Sequence, residues 1–364
     1  MKAVVLREVG RPCAVEDLTL RPLGRHEVKV QLAASGICHT DLSLRDGGMP
    51  ALLPCTLGHE GAGIVVEVGP DVTRVRPGDH VVLTWNVPCR MCPHCLRGDS
   101  HLCPQGLQHA FAEPYASAAG GPVWPSMGAG TLAEQALIPA DAVVAVDRSM
   151  PLDLAALLGC AVTTGVGAVL RTAAVRPGES VLVIGCGGVG LAAIQGARVA
   201  GAARIIAADT VAEQLPAATA NGATDTVDAS DGDLVTTVHR LTGGAGVDHG
   251  IEVVGKAATI RAAYDCTRRG GTVTLVGAAG IDDSVTFPAL SLMADGKTMR
   301  GSVYGASDPV RDIPVLADLA LRGRLDLEAL VTQRIGIDDV ETAFSDMAAG
   351  RGARRLVCFG SGDR

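Results

Sequence analysis

A glycine-rich turn narrows the folds open to this chain more than any other stretch. Gly185-Cys-Gly-Gly-Val-Gly190 sits between an apolar run, Ser180–Ile184, and a run of small residues, Val189–Ala200. The first reads as a buried strand and the second as a helix. GxGxxG alone is a weak signal, and the strand before it and the helix after it supply the context it needs. Apolar and helical stretches then alternate through Arg204–Ala208, Asp225–Val227, Leu234–Leu241, Val247–Val253, Ala257–Arg268 and Thr272–Val276. Such alternation, with continuously apolar strands, means a parallel sheet covered on both faces. Asp209 ends the second strand of the series. A carboxylate there can accept from both ribose hydroxyls of NAD and repels the 2′-phosphate of NADP. Thr210 follows it, with no Arg to receive that phosphate, so NAD is favoured. A plain glycine turn beside a helix-capping Asp is the bland alternative, and the complete βαβ context weighs against it.

The chain has 364 residues, too many for one ordinary core and suited to two domains. With 48% hydrophobic and 19% charged residues it is not a disordered chain. Aromatic residues are only 2%, so aliphatic side chains must build the core. The first 160 or so residues read as short strands, among them Met1–Leu6, Glu27–Ala33, Gly63–Val68 and His80–Thr84. Pro104 to Gly130 reads as a long loop, which is usually functional or an interface element. The formal net charge is −8 and no Lys or Arg run stands out, so nucleic acid is not an expected partner. No apolar stretch reaches the ~18–20 residues of a membrane helix. The charged N-terminus lacks a signal-peptide core. A cytoplasmic protein is expected, and its 11 cysteines are then not a disulfide framework.

Four of those cysteines follow the spacing Cys-x2-Cys-x2-Cys-x7-Cys at Cys89, Cys92, Cys95 and Cys103. Four thiolates can close a tetrahedral site with no open position, which is the mark of structural zinc. An iron–sulfur cluster is the weaker reading, because no ferredoxin-like layout accompanies the run. Cys38, His59, Glu60 and Cys160 are scattered, and spacing alone cannot bring them together.

Gly36-Ile-Cys-His-Thr-Asp41, Gly58-His-Glu-Gly-Ala-Gly63, the four-cysteine run and Gly185–Gly190 occur in that order. Together they resemble the zinc-containing alcohol dehydrogenases of the medium-chain dehydrogenase/reductase superfamily, over essentially the whole chain. The resemblance implies a catalytic zinc on Cys38, His59 and Cys160, with the fourth position open. It implies that Glu60 lies near that metal, that Asp41 holds the His59 imidazole, and that Thr40 takes the alcohol proton. It aligns Trp85 with a position lining the substrate channel. His39, Thr164, Gly185, Gly187, Gly188, Val189, Gly190, Asp209, Val276 and Arg354 align with cofactor contacts, Arg354 with one to the pyrophosphate and Arg355 its close rival. Two departures stand out. Ser43 occupies the place where many relatives end a proton relay in histidine, and Gln214 the place of a ribose-binding Lys.

The expected fold is therefore α/β: a GroES-like, β-rich catalytic domain at 1–161 and 304–364, and a Rossmann domain at 162–303. The active site is expected in the cleft between the two domains. Two zinc ions and NAD are the expected cofactors, a small alcohol or aldehyde the substrate, and a homodimer or homotetramer the assembly. The expected reaction is reversible oxidation of an alcohol to an aldehyde or ketone. Two alternatives remain: a thiol-dependent formaldehyde dehydrogenase on the same scaffold, and a non-catalytic zinc-stabilised NAD-binding regulator. A zinc-free quinone reductase is disfavoured, because all three catalytic ligands are present.

Overall fold

Strands that are apolar along their whole length can only be satisfied inside a sheet covered on both faces, and one such sheet forms. Its six strands run in the order Asp225–Asp228, Arg204–Asp209, Ser180–Ile184, Val247–Glu252, Thr267–Leu275, Thr298–Gly301. All neighbours are parallel. In chain order this is 3-2-1-4-5-6, the doubly wound Rossmann arrangement. The order reverses beside Ser180–Ile184, where ligands of such sheets bind. Leu182, Ile184, Ile206, Ala208, Val227, Val247 and Val273 build the core beneath it. The computed structural model describes residues 1–360 apart from 112, 231, 281 and 353.

By contact the chain divides into two units. One comprises residues 1–163, 308–322 and 331–364, and the other 164–307 and 323–330. The first unit holds two mixed sheets. In the seven-stranded one, Glu60–Val68 lies between His80–Leu83 and Glu27–Gly36, and Arg355–Cys358 pairs with the far edge of Glu27–Gly36. Glu27–Gly36 alternates buried and partly exposed residues at its start and is buried throughout its last three. Val28, Val30 and Leu32 face the core with Val65, Val81, Leu83, Ala136 and Ile138. Each of the Val, Leu and Ile side chains, fully buried, stabilises the fold by about 1.5–3 kcal/mol relative to exposure.

Two readings of the sequence need correction. Pro104–Gly130 is not a bare loop, for it contains strands Ala116–Ala118 and Gly121–Pro125, which pair with each other. Buried Tyr115 and Val123 anchor them in a small apolar cluster, and the Gly, Ala and Pro around them hide that pattern. The C-terminal segment also does not rejoin the first domain as one piece. Residues 304–307 and 323–330 group with the second unit. There the Gln195 amide brackets Asp326, donating to its carbonyl (2.7 Å) and accepting from its N–H (2.8 Å). Among the described residues no single helix is long and apolar enough to cross a membrane.

Candidate metal centres and cofactor turn

The first site is built around Asp41. The helix His39–Asp46 starts just after Cys38. Asp41, in its first turn and fully buried, folds its carboxylate back over the helix start. Oδ2 accepts the Cys38 N–H (3.1 Å), and Oδ1 accepts the Gly58 N–H (3.0 Å). The same Oδ1 lies 3.1 Å from His59 Nδ1. A carboxylate can only accept, so His59 carries its proton on Nδ1 and turns a lone pair outward at Nε2. That Nε2 is buried and has no protein partner. The ligand atoms of Cys38, His59, Glu60 and Cys160 lie within 4.8 Å of one another, and all four residues are buried. A bare imidazole lone pair facing two buried thiols is costly unless a cation sits among them. The donor set suits zinc.

The electrostatics favours a cation on that lone pair, whether a proton or a metal. The Cys38 thiol is held well below its usual range, chiefly by Cys160, with His59 adding to this and burial opposing. Thr40 Oγ1 lies 3.7 Å from Cys38 Sγ. The His59 imidazole is raised: burial works against this, and Asp41 and Cys38 outweigh it. Glu60 is pushed up to about 7 by burial, against the pull of Arg354. Arg354 donates from one guanidinium nitrogen to both Glu60 oxygens (3.1 and 3.0 Å) and to the Ile37 carbonyl (2.8 Å). The β-ladder explains the meeting. Gly36 is opposite Glu60 on one side and Leu356 on the other. A Cβ at Gly36 would lie 2.2 Å from Glu60 Oε2, so only glycine leaves room.

The second centre is the four-cysteine loop. Its ligand atoms also lie within 4.8 Å of one another. Cys89 N–H points at Cys103 Sγ and Cys92 N–H at Cys89 Sγ, both at 3.3 Å. Backbone N–H groups, first that of Met91, hold Cys89 down at about 6. Zinc–sulfur bonds of about 2.3 Å give a tetrahedron edge of about 3.8 Å, and Cys92 Sγ and Cys103 Sγ are 3.8 Å apart. The residues fit zinc. Arg90 ties the loop to Asp308, which caps the helix Pro309–Leu321.

The glycine turn lies in the second unit. Gly185 has φ 102°, closed to most residues. A Cβ at Gly190 would sit 1.8 Å from the Gly185 carbonyl oxygen, so the helix Gly188–Ala200 approaches the strand only through glycine. Beside Gly187 the space is open, with no atom within 4 Å of a Cβ placed there. A phosphate at this helix start meets backbone N–H groups and the positive end of the helix dipole. Asp209 ends its strand as expected. Its oxygens accept from Cys186 N–H (2.6 Å) and Val211 N–H (2.9 Å).

The remaining candidates fall as follows. Thr164 is buried, Val189 and Val276 are half-buried, and His39 is exposed at the first residue of its helix. Trp85 is half-buried with its ring nitrogen enclosed. The sequence reading missed that Arg354 pairs with Glu60. It also missed Glu252, fully buried at the end of a central strand, whose Oε1 accepts from Val254 N–H, Gly255 N–H and the Thr259 hydroxyl. The signal was available, since a lone acid closing an apolar strand before Gly255 is unusual.

Two family profiles match the chain: an alcohol dehydrogenase GroES-like domain over residues 24–148, and a zinc-binding dehydrogenase over 188–321. An S-(hydroxymethyl)glutathione dehydrogenase of Paracoccus denitrificans is 34% identical over 375 residues, covering 98% of this chain and 99% of that one. Among solved structures, an alcohol dehydrogenase zinc-binding domain protein from Burkholderia ambifaria superposes with TM-score 0.93 at 36% identity, over 99% of both chains. Benzyl alcohol dehydrogenase from Acinetobacter calcoaceticus superposes with TM-score 0.91 at 32% identity, again over 99% of both. A GroES-like unit with two zinc sites and a Rossmann unit in one chain define a class of oxidoreductase. The chain belongs to the zinc-type alcohol dehydrogenase family of medium-chain dehydrogenases, and its cofactors are zinc and NAD.

Proposed function

We propose that this chain reversibly oxidises an alcohol to an aldehyde or ketone, passing the hydride to NAD. The observation that carries the reading is the bare, buried Nε2 of His59, oriented by Asp41 beside two thiols. In this reading Cys38, His59 and Cys160 hold the catalytic zinc and Cys89, Cys92, Cys95 and Cys103 the structural one. Zinc there would supply Lewis acidity, lowering the pKa of a bound water to about 7 and acting on an alcohol in the same sense. The chain's own groups do the rest. Asp41 fixes the His59 tautomer. Thr40, 3.7 Å from Cys38, receives the hydroxyl proton. Glu60, neutralised by Arg354, stands near the metal as a further carboxylate. Gly187 leaves room for the pyrophosphate, and Asp209 selects the ribose that lacks a phosphate. The proton's route beyond Thr40 ends through water or Ser43, since no histidine stands at that place.

A thiol-adduct substrate is the second reading, favoured by the name of the Paracoccus relative. One assay separates the two. Primary, secondary and aromatic alcohols are compared with formaldehyde plus a low-molecular-weight thiol, following NADH absorbance. Turnover of simple alcohols without thiol supports the first reading. Turnover that requires the thiol replaces it with the second, and no turnover of any of them leaves the regulator.

A further inference from the structure

In the first unit, Asn86 Nδ2 and both ring nitrogens of His109 are shut off from solvent and make no hydrogen bond to any described residue. Asn86 is only 3% exposed. The backbone ties the two segments together, since Val87 N–H donates to the Gly106 carbonyl at 2.9 Å. A Cβ at Gly106 would lie 2.4 Å from Asn86 Oδ1, so the carboxamide fits there only because a glycine faces it. His109 follows in the short turn Gln108–Phe111. Burial pushes its imidazole down to about 4, with the nearby Gly106 backbone opposing. Near neutral pH the ring is therefore uncharged, with one nitrogen a donor and the other an acceptor.

Both segments lead back to the first metal centre. Gln108–Phe111 packs against the turn Ser126–Gly128, and Ser126 Oγ donates to the carbonyl of Gly58, the neighbour of His59, at 3.4 Å. Asn86 lies three residues past Leu83, whose carbonyl oxygen would be 2.7 Å from a Cβ at Gly159, the neighbour of Cys160. At about 3.8 Å per residue, Asn86 is within reach of a small molecule held at that centre. A buried donor or acceptor left unmade costs stability, and folded proteins keep few of them. Three beside one glycine call for a partner from outside the chain. Both residues are neutral and offer nothing to balance a carboxylate. A hydroxyl suits both, because it can accept from Asn86 and can either accept from or donate to an imidazole. We infer that Asn86 and His109 form a polar subsite selecting alcohols that carry a second hydroxyl or similar neutral hydrogen-bonding group. A substrate lacking that group leaves the site's polar atoms unpaired and is disfavoured.

The inference rests on the proposal that this chain oxidises alcohols at the first metal centre. The test compares straight-chain primary alcohols, from propanol to octanol, with the α,ω-diols of matching length, on the zinc-loaded enzyme with NAD. At the best-fitting length the diol is expected to exceed its partner in kcat/KM by about tenfold, mostly through KM. Asn86→Leu and His109→Phe are each expected to cut that ratio severalfold. In the absence of substrate, both replacements are expected to raise Tm by about 2–4 °C, because each removes an unpaired buried group. A wild-type ratio near one, or a ratio that neither variant moves, would overturn the subsite and leave alcohol oxidation standing. A fall in Tm would then mark the two residues as hosts of a structural water. If no alcohol is oxidised, the reading of the reaction fails, and calorimetric binding of the same diols and alcohols decides the subsite by itself. Should Asn86→Leu not fold, His109→Phe on its separate segment supplies the ratio.

Discussion

Asp41 does more at the first metal centre than any residue that would touch the metal. One carboxylate fixes the His59 tautomer, the Cys38 backbone and the Gly58 backbone. Asp41→Asn keeps its size but presents an amide N–H to groups that are themselves donors. One contact must then invert or break, and the His59 tautomer is no longer set. Loss of such a partner typically costs about 10–100-fold in metal affinity or activity. kcat/KM and bound zinc are both expected to fall in that range, and wild-type values at full metal loading would remove Asp41 from its role. Asp209 is the corresponding residue at the cofactor turn. A charged acceptor that loses its ribose bonds and faces a phosphate costs about 1.5–3 kcal/mol or more. Preference for NAD over NADP of at least about tenfold is expected, since ~1.4 kcal/mol is a factor of ten. The measurement is kcat/KM for both cofactors at one ionic strength, and equal use of the two would refute the role given to Asp209. Because Asp209 also holds Cys186 N–H, Asp209→Gly is expected to loosen the turn as well as change cofactor choice.

At the scale of elements, the four-cysteine loop is held by its metal and by little else that is buried. Binding energy at such a closed site is folding energy. Zinc present at about a thousand times its dissociation constant contributes about 4.1 kcal/mol. For a unit of this size, each kcal/mol moves Tm by about 2–4 °C. Cys103→Ser is thus expected to lower Tm by roughly 8–16 °C, and an unchanged melting curve would deny the loop its metal. The loop was legible in the sequence because all four ligands are neighbours along the chain. The glycine turn was legible for the same reason: strand, turn, helix and Asp209 follow in order, and each rests on local geometry. What escaped is what lies far apart. Glu60 and Arg354 are separated by 294 residues and meet only through the ladder around Gly36. No periodicity reports such a pair. The strands inside Pro104–Gly130 escaped because Gly and Pro surround their few inward residues, and the return of 323–330 to the second unit turns on side chains far back in the chain, Gln195, Arg198 and Asn221, which bond the backbone of Asp326, Arg324 and Ala329.

For the whole molecule, the two centres differ in what survives without metal, and this gives a test that separates them. At the buried centre the frame does not need the ion. Asp41 still holds Cys38, Gly58 and His59, and Glu60 still pairs with Arg354. Removing that zinc is expected to abolish activity and leave the backbone in place. At the cysteine loop the thiolates themselves are the frame. Without the ion they repel one another or take up protons, and residues 89–103 lose their anchor. Arg90 and Arg97 are exposed within that loop, so trypsin should cut there once it opens and not before. The purified protein is expected to hold two zinc ions per chain. Along a chelator titration, loss of one zinc should track activity and loss of the other should track cleavage at Arg90 or Arg97. Activity is restored by adding zinc back to the first product. Cys38→Ala and His59→Ala are expected to start at one zinc, inactive and resistant to trypsin, which marks the buried centre as the catalytic one. Activity and trypsin resistance lost together with a single zinc would mean that one centre serves both roles. A fully active protein with one zinc per chain would mean that one of the two ligand sets holds no metal at all.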